Sequence, residues 1–178
     1  MTREDRCGLY APPKCEADGQ ITRSPGVALT VFTGDCVPIL LHDPVTSAIG
    51  AVHAGWRGTA ADAVGAAVRK MMEEYGCTPG DIRAAIGPSI SKCCYETDND
   101  VAEALRNMLG EAAENCLTVQ GKKYMTDLKK ANHLLLSRAG VQNISISEEC
   151  TSCQSDKYWS HRKTKGQRGS QAAIIVID

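Results

Sequence analysis

The sequence lacks a long apolar run, an excess of charge of either sign and an internal repeat. A membrane-spanning helix needs about 20 mostly apolar residues, and residues 1–10 are too polar for a secretion signal. The 20 basic and 21 acidic residues give a net charge of −1, so no extended basic surface attracts nucleic acid or an anionic membrane. We therefore expect a cytoplasmic protein that binds neither.

Histidine is also scarce, whereas cysteine is not: the 178 residues include 4 histidines and 9 cysteines. The cysteines are too few for a disulfide scaffold and odd in number, which indicates a reducing compartment in which thiols bind metal or pack. The length fits one domain.

The spacing of apolar residues predicts short strands and longer helices. Prolines and glycines punctuate residues 1–25, which we expect to be an extended lead-in left from a longer N-terminal region, with the domain at 26–178. Apolar, partly β-branched runs predict strands over 27–32, 37–41, 48–52, 83–86, 144–146 and 172–177. Helical periodicity predicts helices over 60–72, ended by Gly76, over 98–109, ended by Gly110, and from a Thr126 cap to Arg138. Because strands cluster first and then mix with helices, we predict an α+β fold: a single domain with a mixed β-sheet and flanking helices.

Two candidate metal ligands fall at the ends of predicted strands. Cys36 precedes one strand and His53 follows another, and a thiolate with an imidazole makes half of a zinc site. A buried structural cysteine and a histidine bonded in a turn fit the same pattern.

A glycine-rich segment follows His53, between a strand and a helix. Here Gly55, Gly58 and the Arg57 guanidinium are candidates for binding an anion such as phosphate. The alternative is a turn that lets strand and helix pack closely. Trp56 fits either the core or a stacking surface for a base.

Two later segments add candidate polar groups. Glu96 is a candidate general acid or base if burial raises its pKa, although a carboxylate at a helix start has the same appearance. His161 and Arg162 lie in a basic loop that reads as a phosphate clamp or a solvated turn, and His161 is a candidate hydrogen-bond partner or base.

The cysteines include one Cys-x-x-Cys motif, Cys150 and Cys153. With Cys93 and Cys94 it permits a four-cysteine zinc site. Neighbouring side chains usually diverge, so we favour thiols that simply pack.

Four segments occur in a distinctive order: Gly34-Asp35-Cys36-Val37-Pro38, Val52-His53-Ala54-Gly55-Trp56-Arg57-Gly58, Ile86-Gly87-Pro88-Ser89-Ile90 and Ser160-His161-Arg162. Together they resemble the bacterial family long labelled multicopper polyphenol oxidase or laccase-domain proteins and later regarded as purine nucleoside phosphorylases. The resemblance runs from about Glu16 to the C-terminus.

Members of this family resemble one another in holding one zinc ion. The resemblance places two of its ligands at Cys36 and His53. The third, a histidine in an upstream Gln-x-His-Gly segment, has no counterpart here, so we expect a shortened N-terminus. A fragment, a replacement ligand such as Cys7 or Cys15, and loss of the metal are the alternatives.

The resemblance implies phosphorolysis of adenosine, inosine, guanosine or methylthioadenosine to a base and a sugar 1-phosphate. It also implies zinc-dependent deamination of adenosine, with zinc on Cys36 and His53 activating the water. Arg57 and Arg162 would hold phosphate and stabilise charge in the transition state. The family's usual Thr-Gly-Arg ending reads Arg168-Gly169-Ser170 here, so Arg168 is a candidate substitute for the usual arginine.

Three other functions stay open. The older family label implies a copper-dependent polyphenol oxidase, for which the four histidines His42, His53, His133 and His161 are too few. Cys36 and His53 would also serve a cysteine hydrolase as nucleophile and base. A chain without the third ligand would be an inactive binding module. Whether the protein is a monomer or a homodimer is left open.

Overall fold

The computed structural model describes residues 17–178. Its ten strands are β1 (Gly19–Thr22), β2 (Leu29–Thr33), β3 (Val37–Asp43), β4 (Ala48–Ala54), β5 (Arg83–Ile86), β6 (Glu96–Thr97), β7 (Leu117–Gln120), β8 (Lys123–Thr126), β9 (Asn143–Ile146) and β10 (Gln171–Ile175). Its five α-helices are α1 (Trp56–Ala60), α2 (Ala63–Tyr75), α3 (Asn99–Leu109), α4 (Leu128–Arg138) and α5 (His161–Thr164). Two 3₁₀ segments lie at Pro79–Asp81 and Gly110–Cys116.

The main sheet has five strands in the order β1-β4-β3-β5-β9. All neighbours are antiparallel except β5 and β9, which are parallel. The buried side chain of Asp43 organises the turn between β3 and β4, because its carboxylate accepts hydrogen bonds from the Val45 amide at 2.8 Å and the Thr46 hydroxyl at 2.9 Å. The prediction of a mixed sheet in an α+β domain is confirmed.

Two smaller sheets accompany the main one. Strands β2 and β10 pair antiparallel with each other, and Leu29 and Val31 of β2 pack with Ile49 and Ala51 of β4 in a second apolar cluster. The third sheet, in the order β6-β8-β7, is antiparallel and built from strands of two to four residues. The sequence did not lead us to expect β6, β7 or β8, because such short polar strands carry little periodic signal.

The main core lies between the five-stranded sheet and the helices. Leu41 of β3, Met71 of α2 and Leu135 of α4 are buried together there. Fully burying a side chain of this size contributes about 1.5–3 kcal/mol, so the apolar face of each helix fixes its position on the sheet. Apolar residues at helical spacing therefore give the right faces for α2, α3 and α4.

The first predicted helix is interrupted. The expected helix over 60–72 is α1 followed by α2, because Asp62 adopts the left-handed conformation at φ 55° and starts a second helix. Gly76 ends α2 at φ 70°, as expected. The cap of α4 is Asp127, whose side chain accepts from the Lys130 amide at 2.9 Å, rather than Thr126.

The sheet begins further upstream than predicted. Strand β1 falls within the expected lead-in, yet it pairs antiparallel with β4, with Gly19 opposite Val52. The rest of the lead-in prediction concerns residues 1–16, which lie outside the described part of the chain, as do Cys7 and Cys15. No helix within residues 17–178 is both long and apolar enough to cross a bilayer.

Candidate functional site

A cavity of about 380 Å³ opens where β3 and β4 meet α1. It brings together groups from five separate segments of the chain, which agrees with a small-molecule site, since such sites usually measure about 300–1,000 Å³. The lining residues are Asp18, Asp35, Cys36, His53, Gly55, Trp56, Arg57, Gly58, Ile90, Tyr95 and Leu128.

Cys36 and His53 are adjacent in this cavity because of the β3–β4 register. Cys36 directly precedes β3, in which Pro38 pairs with His53 of β4. A Cβ atom on Gly55 would lie 3.1 Å from Cys36 Sγ and 3.7 Å from His53 Cε1. The approach to the Cys36 sulfur is tighter than an ordinary contact, so glycine at position 55 leaves room for the Cys36 side chain.

The ring of His53 has two polar neighbours. A hydrogen bond with Cys36 is the main cause that raises the pKa of His53, and a hydrogen bond with Asp18 acts in the same direction, while burial opposes both. Asp18 Oδ1 lies 3.3 Å from His53 Nδ1. A carboxylate on one ring nitrogen fixes the tautomer and leaves the other nitrogen for a second partner.

Asp18 is a site residue that the sequence did not reveal. It precedes β1, in the segment expected to be an unpacked lead-in, and its carbonyl oxygen accepts from the His53 amide at 2.7 Å. The strand pairing of β1 with β4 delivers it to the cavity. No local pattern signals such a pairing, because it depends on tertiary contacts.

Asp35 holds the turn that carries Cys36. It is only 8% exposed and adopts φ 115°, a conformation that side chains rarely take. One carboxylate oxygen accepts from the Thr151 hydroxyl at 2.6 Å and the other from the Arg162 amide at 2.7 Å. Its carbonyl accepts from the Ile90 amide at 2.9 Å. Three distant segments thus converge on the residue before Cys36.

The segment Gly55 to Gly58, the candidate for anion binding, lines the cavity, but its helix is short. Helix α1 has five residues, so its dipole adds little to anion binding. The Arg57 guanidinium lies over Trp56, with its Cζ 4.3 Å from the ring centroid. Arg57 therefore supplies most of the positive charge that this segment offers.

Two other sequence candidates point elsewhere. Glu96 does not line the cavity, and its exposed carboxylate lies 3.3 Å from Lys123 Nζ. The Arg162 guanidinium donates to the carbonyls of Cys94 at 3.1 Å and Glu96 at 2.9 Å. Its Cζ is 5.2 Å from the ring centroid of Tyr95. Arg162 thus supports the Tyr95 wall of the cavity rather than presenting a free guanidinium.

His161 and Arg168 also lie outside the set of lining residues. His161 begins α5, and its amide donates to the Gly34 carbonyl at 3.2 Å. The Arg168 side chain lies against Gly34 and donates to the Gly169 carbonyl at 2.8 Å. Both residues contact Gly34, at the start of the turn that carries Cys36, without lining the cavity.

Aromatic and apolar groups complete the lining of the cavity. Burial is the main cause that raises the pKa of Tyr95 to about 12, so its hydroxyl stays protonated at neutral pH. Ile90 and Leu128 are both buried. With Trp56 these groups form a surface on which a planar base would stack.

A second cluster lies outside the cavity and holds Cys93, Cys94, Cys150 and Cys153, whose sulfur atoms all lie within 4.8 Å of one another. Within residues 17–178 it is the only group of three or more side chains placed to share a metal ion. Our expectation that Cys93 and Cys94 diverge is wrong, because both lie in a turn rather than in regular structure.

Comparisons with known sequences agree with the motifs. The family described as multi-copper polyphenol oxidoreductase laccase matches residues 2–178. The chain is 41% identical over 161 residues to the purine nucleoside phosphorylase YlmD of Geobacillus stearothermophilus, covering 89% of this chain and 59% of that protein. It is 36% identical over 172 residues to the human purine nucleoside phosphorylase LACC1, covering 90% and 38%. It is 38% identical over 152 residues to the adenosine deaminase RL5 of an unknown prokaryotic organism, covering 82% and 56%.

Solved structures show the same fold. The crystal structure of the Bacillus licheniformis hypothetical protein YfiH superposes with a TM-score of 0.94 at 34% identity, covering 100% of this chain and 69% of that one. The structure of YlmD from Geobacillus stearothermophilus gives 0.89 at 39% identity, covering 94% and 62%. The chain spans less than two thirds of the length of these curated relatives. By its motifs, its fold and the match over residues 2–178, the chain belongs to the multi-copper polyphenol oxidoreductase laccase family.

Proposed function

We propose that this chain acts as a purine nucleoside phosphorylase with a zinc-dependent adenosine deaminase activity. The observation that carries the proposal is one cavity in which a thiol–imidazole pair, a guanidinium and two aromatic rings face the same space. Relatives named for these two activities align with 82–89% of the chain. The substrates would be adenosine, inosine, guanosine or methylthioadenosine, with phosphate.

In phosphorolysis, the protein's main task is to place phosphate against the anomeric carbon. Arg57 is the exposed arginine of the cavity, and we assign it the phosphate oxygens. Its stacking on Trp56 restricts the guanidinium, so less rotamer freedom is lost when the anion binds. Trp56 and Tyr95 would hold the base.

Arg162 and Glu96 have different roles in this proposal from those suggested by the sequence. Arg162 donates to two carbonyls and stacks on Tyr95, so it is a positioning residue for the aromatic wall. Glu96 is paired with Lys123 at the surface, outside the cavity, so we assign it no part in the reaction. His161 supports the Cys36 turn through its amide.

Cys36 and His53 fit a zinc ion by their chemistry. Sulfur and imidazole nitrogen are common zinc ligands, and Asp18 orients the His53 ring in the manner of a carboxylate behind a metal-binding histidine. When bound, zinc would lower the pKa of a water molecule for deamination. All four histidines lie in the described part of the chain and only His53 lines the cavity, which favours zinc over a histidine-rich copper centre.

The test is product chromatography after incubation of the zinc-supplemented protein with adenosine, with and without phosphate. We expect adenine that depends on phosphate, together with inosine that does not. Arg57→Ala should lower adenine formation, and His53→Ala should abolish inosine formation. Lys70→Ala on α2 and His42→Ala on β3 are matched controls that leave the cavity intact. Inosine formation by a metal-free protein would contradict the role given to zinc.

One observation favours a second candidate, a cysteine hydrolase. Cys36, His53 and Asp18 form a chain of hydrogen-bond partners like that of a nucleophile, its base and an orienting carboxylate. This function predicts activity that alkylation of Cys36 removes and chelators leave unchanged. Activity lost with chelators would select the metal-dependent proposal instead.

A further inference from the structure

We propose that Cys93, Cys94, Cys150 and Cys153 bind a structural zinc ion that is separate from the cavity. The four residues come from the turn before β6 and from the loop between β9 and α5. None of them lines the cavity. The inference therefore does not depend on the proposed function.

The spacing of the sulfur atoms fits a single tetrahedral ion. Cys93 Sγ lies 3.8 Å from Cys94 Sγ and 3.6 Å from Cys153 Sγ. The sulfur atoms of Cys94 and Cys153 are 3.4 Å apart. Four ligands at about 2.3 Å from zinc would be about 3.8 Å from one another. A disulfide needs about 2.05 Å, and an iron–sulfur cluster spreads its cysteines over several iron atoms. The cluster is thus arranged for one ion.

The backbone around the cluster positions the thiols and stabilises their charge. The amides of Cys94 and Tyr95 both donate to the Ser91 carbonyl, at 2.9 and 3.1 Å. These bonds close the turn in which the Cys93 and Cys94 sulfur atoms lie close together. The Ser91 amide donates to Cys150 Sγ at 3.3 Å. Such donors are the usual support of thiolate ligands.

A buried lysine supplies a compensating charge. Zn²⁺ with four thiolates has a net charge of about −2, which a partly buried site must offset. Lys129 of α4 is 5% exposed, and its Nζ binds Ser91 Oγ at 3.0 Å and the carbonyls of Ser147 at 2.8 Å and Glu149 at 2.7 Å. Ser91 lies two residues before Cys93, and Glu149 lies immediately before Cys150. The ammonium group therefore joins the same two segments as the ion would.

The bound ion would fix one wall of the cavity. Cys94 precedes Tyr95, which lines the cavity, and the Cys94 carbonyl accepts from Arg162. Cys150 precedes Thr151, which binds Asp35. A zinc ion that crosslinks the two cysteine segments would fix both the Arg162–Cys94 and the Thr151–Asp35 contacts. We therefore assign the ion a structural rather than a catalytic role.

The first test measures protection of thiols in the full chain, purified under reducing conditions from zinc-supplemented medium. Alkylation followed by peptide mass spectrometry should show Cys93, Cys94, Cys150 and Cys153 protected and made reactive by a chelator. Cys93 and Cys153 are exposed, so they would react rapidly without an ion. Rapid alkylation of both in the zinc-supplemented protein, or a Cys94–Cys153 disulfide, would overturn the proposal.

The second test separates this ion from the one proposed in the cavity. Cys153→Ser should lower the zinc content by one equivalent per chain, whereas Cys36→Ser and the buried control Cys116→Ala should retain that equivalent. Cobalt added to metal-free protein should give a thiolate charge-transfer band that Cys153→Ser weakens and Cys36→Ser leaves. Zinc content that falls only with Cys36→Ser would refute the second site. If Cys153→Ser fails to fold, the protection of the wild-type thiols decides.

Discussion

Replacement of Asp35 tests how the Cys36 turn is held. Asp35→Ala removes a buried carboxylate that accepts from the Thr151 hydroxyl and the Arg162 amide. A hydrogen bond to a charged group contributes about 1.5–3 kcal/mol, so the two together predict a loss of about 3–6 kcal/mol. For a chain of this length each kcal/mol lowers Tm by about 2–4 °C. The loss would be a large share of a typical total stability of about 5–15 kcal/mol.

A second substitution at the same position isolates the backbone strain. Asp35→Gly loses the same two hydrogen bonds but relieves the strain of a side chain at φ 115°, which is of order 1–3 kcal/mol. The extra freedom of glycine in the unfolded chain offsets about 0.5–1 kcal/mol of this gain. We therefore expect Asp35→Gly to be more stable than Asp35→Ala by about 1 kcal/mol.

Urea denaturation measures the free energy of unfolding of each variant. The set comprises the two Asp35 variants, Thr151→Val and the double variant Asp35→Ala/Thr151→Val. The double-mutant cycle should give a coupling of about 1.5–3 kcal/mol between the two side chains. A loss of less than about 1 kcal/mol in Asp35→Ala, or equal stability of the alanine and glycine variants, would refute these roles of Asp35.

Three further predictions follow from the same contacts. Gly55→Ala fits the backbone at φ −72° and ψ 177° but brings a Cβ to 3.1 Å from Cys36 Sγ. The free energy of unfolding measured in urea should change by less than about 1 kcal/mol, while zinc affinity and the deamination rate fall. Lys129→Met leaves three acceptors without their donor. We therefore expect the free energy of unfolding in urea to fall by about 3 kcal/mol. In metal-free protein the hydrogen bond with Cys36 raises the pKa of His53 above its usual 6.5, so its stabilisation is complete below pH 6.5 and disappears as pH rises through the raised value. NMR titration should show a lower His53 pKa in Cys36→Ser, and an unchanged value would refute the assignment of the cause.

The long periodic segments were predictable from sequence, and the short or paired ones were not. Helices α3 and α4 follow their apolar spacing and end near Gly110 and Gly140. The break between α1 and α2 is different, because the apolar pattern runs through Asp62 while its left-handed backbone changes direction. Strand β1 was missed because its stability depends on β4, a partner about 30 residues away.

The candidate site could likewise be predicted from the sequence only in part. Cys36, His53 and Arg57, which the motifs single out, line one cavity, and the motifs identify them because strand ends and the following turn are local features. Asp18 and the support given by Arg162 arise from contacts across the whole chain, which local patterns do not contain. The four-cysteine cluster was underrated because adjacent side chains diverge in strands but not in the turn that holds Cys93 and Cys94.

The connection of Asp35 to the C-terminal part of the chain has a consequence for biosynthesis. Its two carboxylate partners are separated from it by 116 and 127 residues, so they leave the ribosome long after β2, β3 and β4. The nascent sheet can pair its strands before then, but the Asp35 carboxylate lacks both of its partners, so of the contacts to Asp35 only the Ile90 amide is available to hold the strained turn. The cavity should therefore form last, and a chain arrested before residue 151 would have a sheet without a competent site.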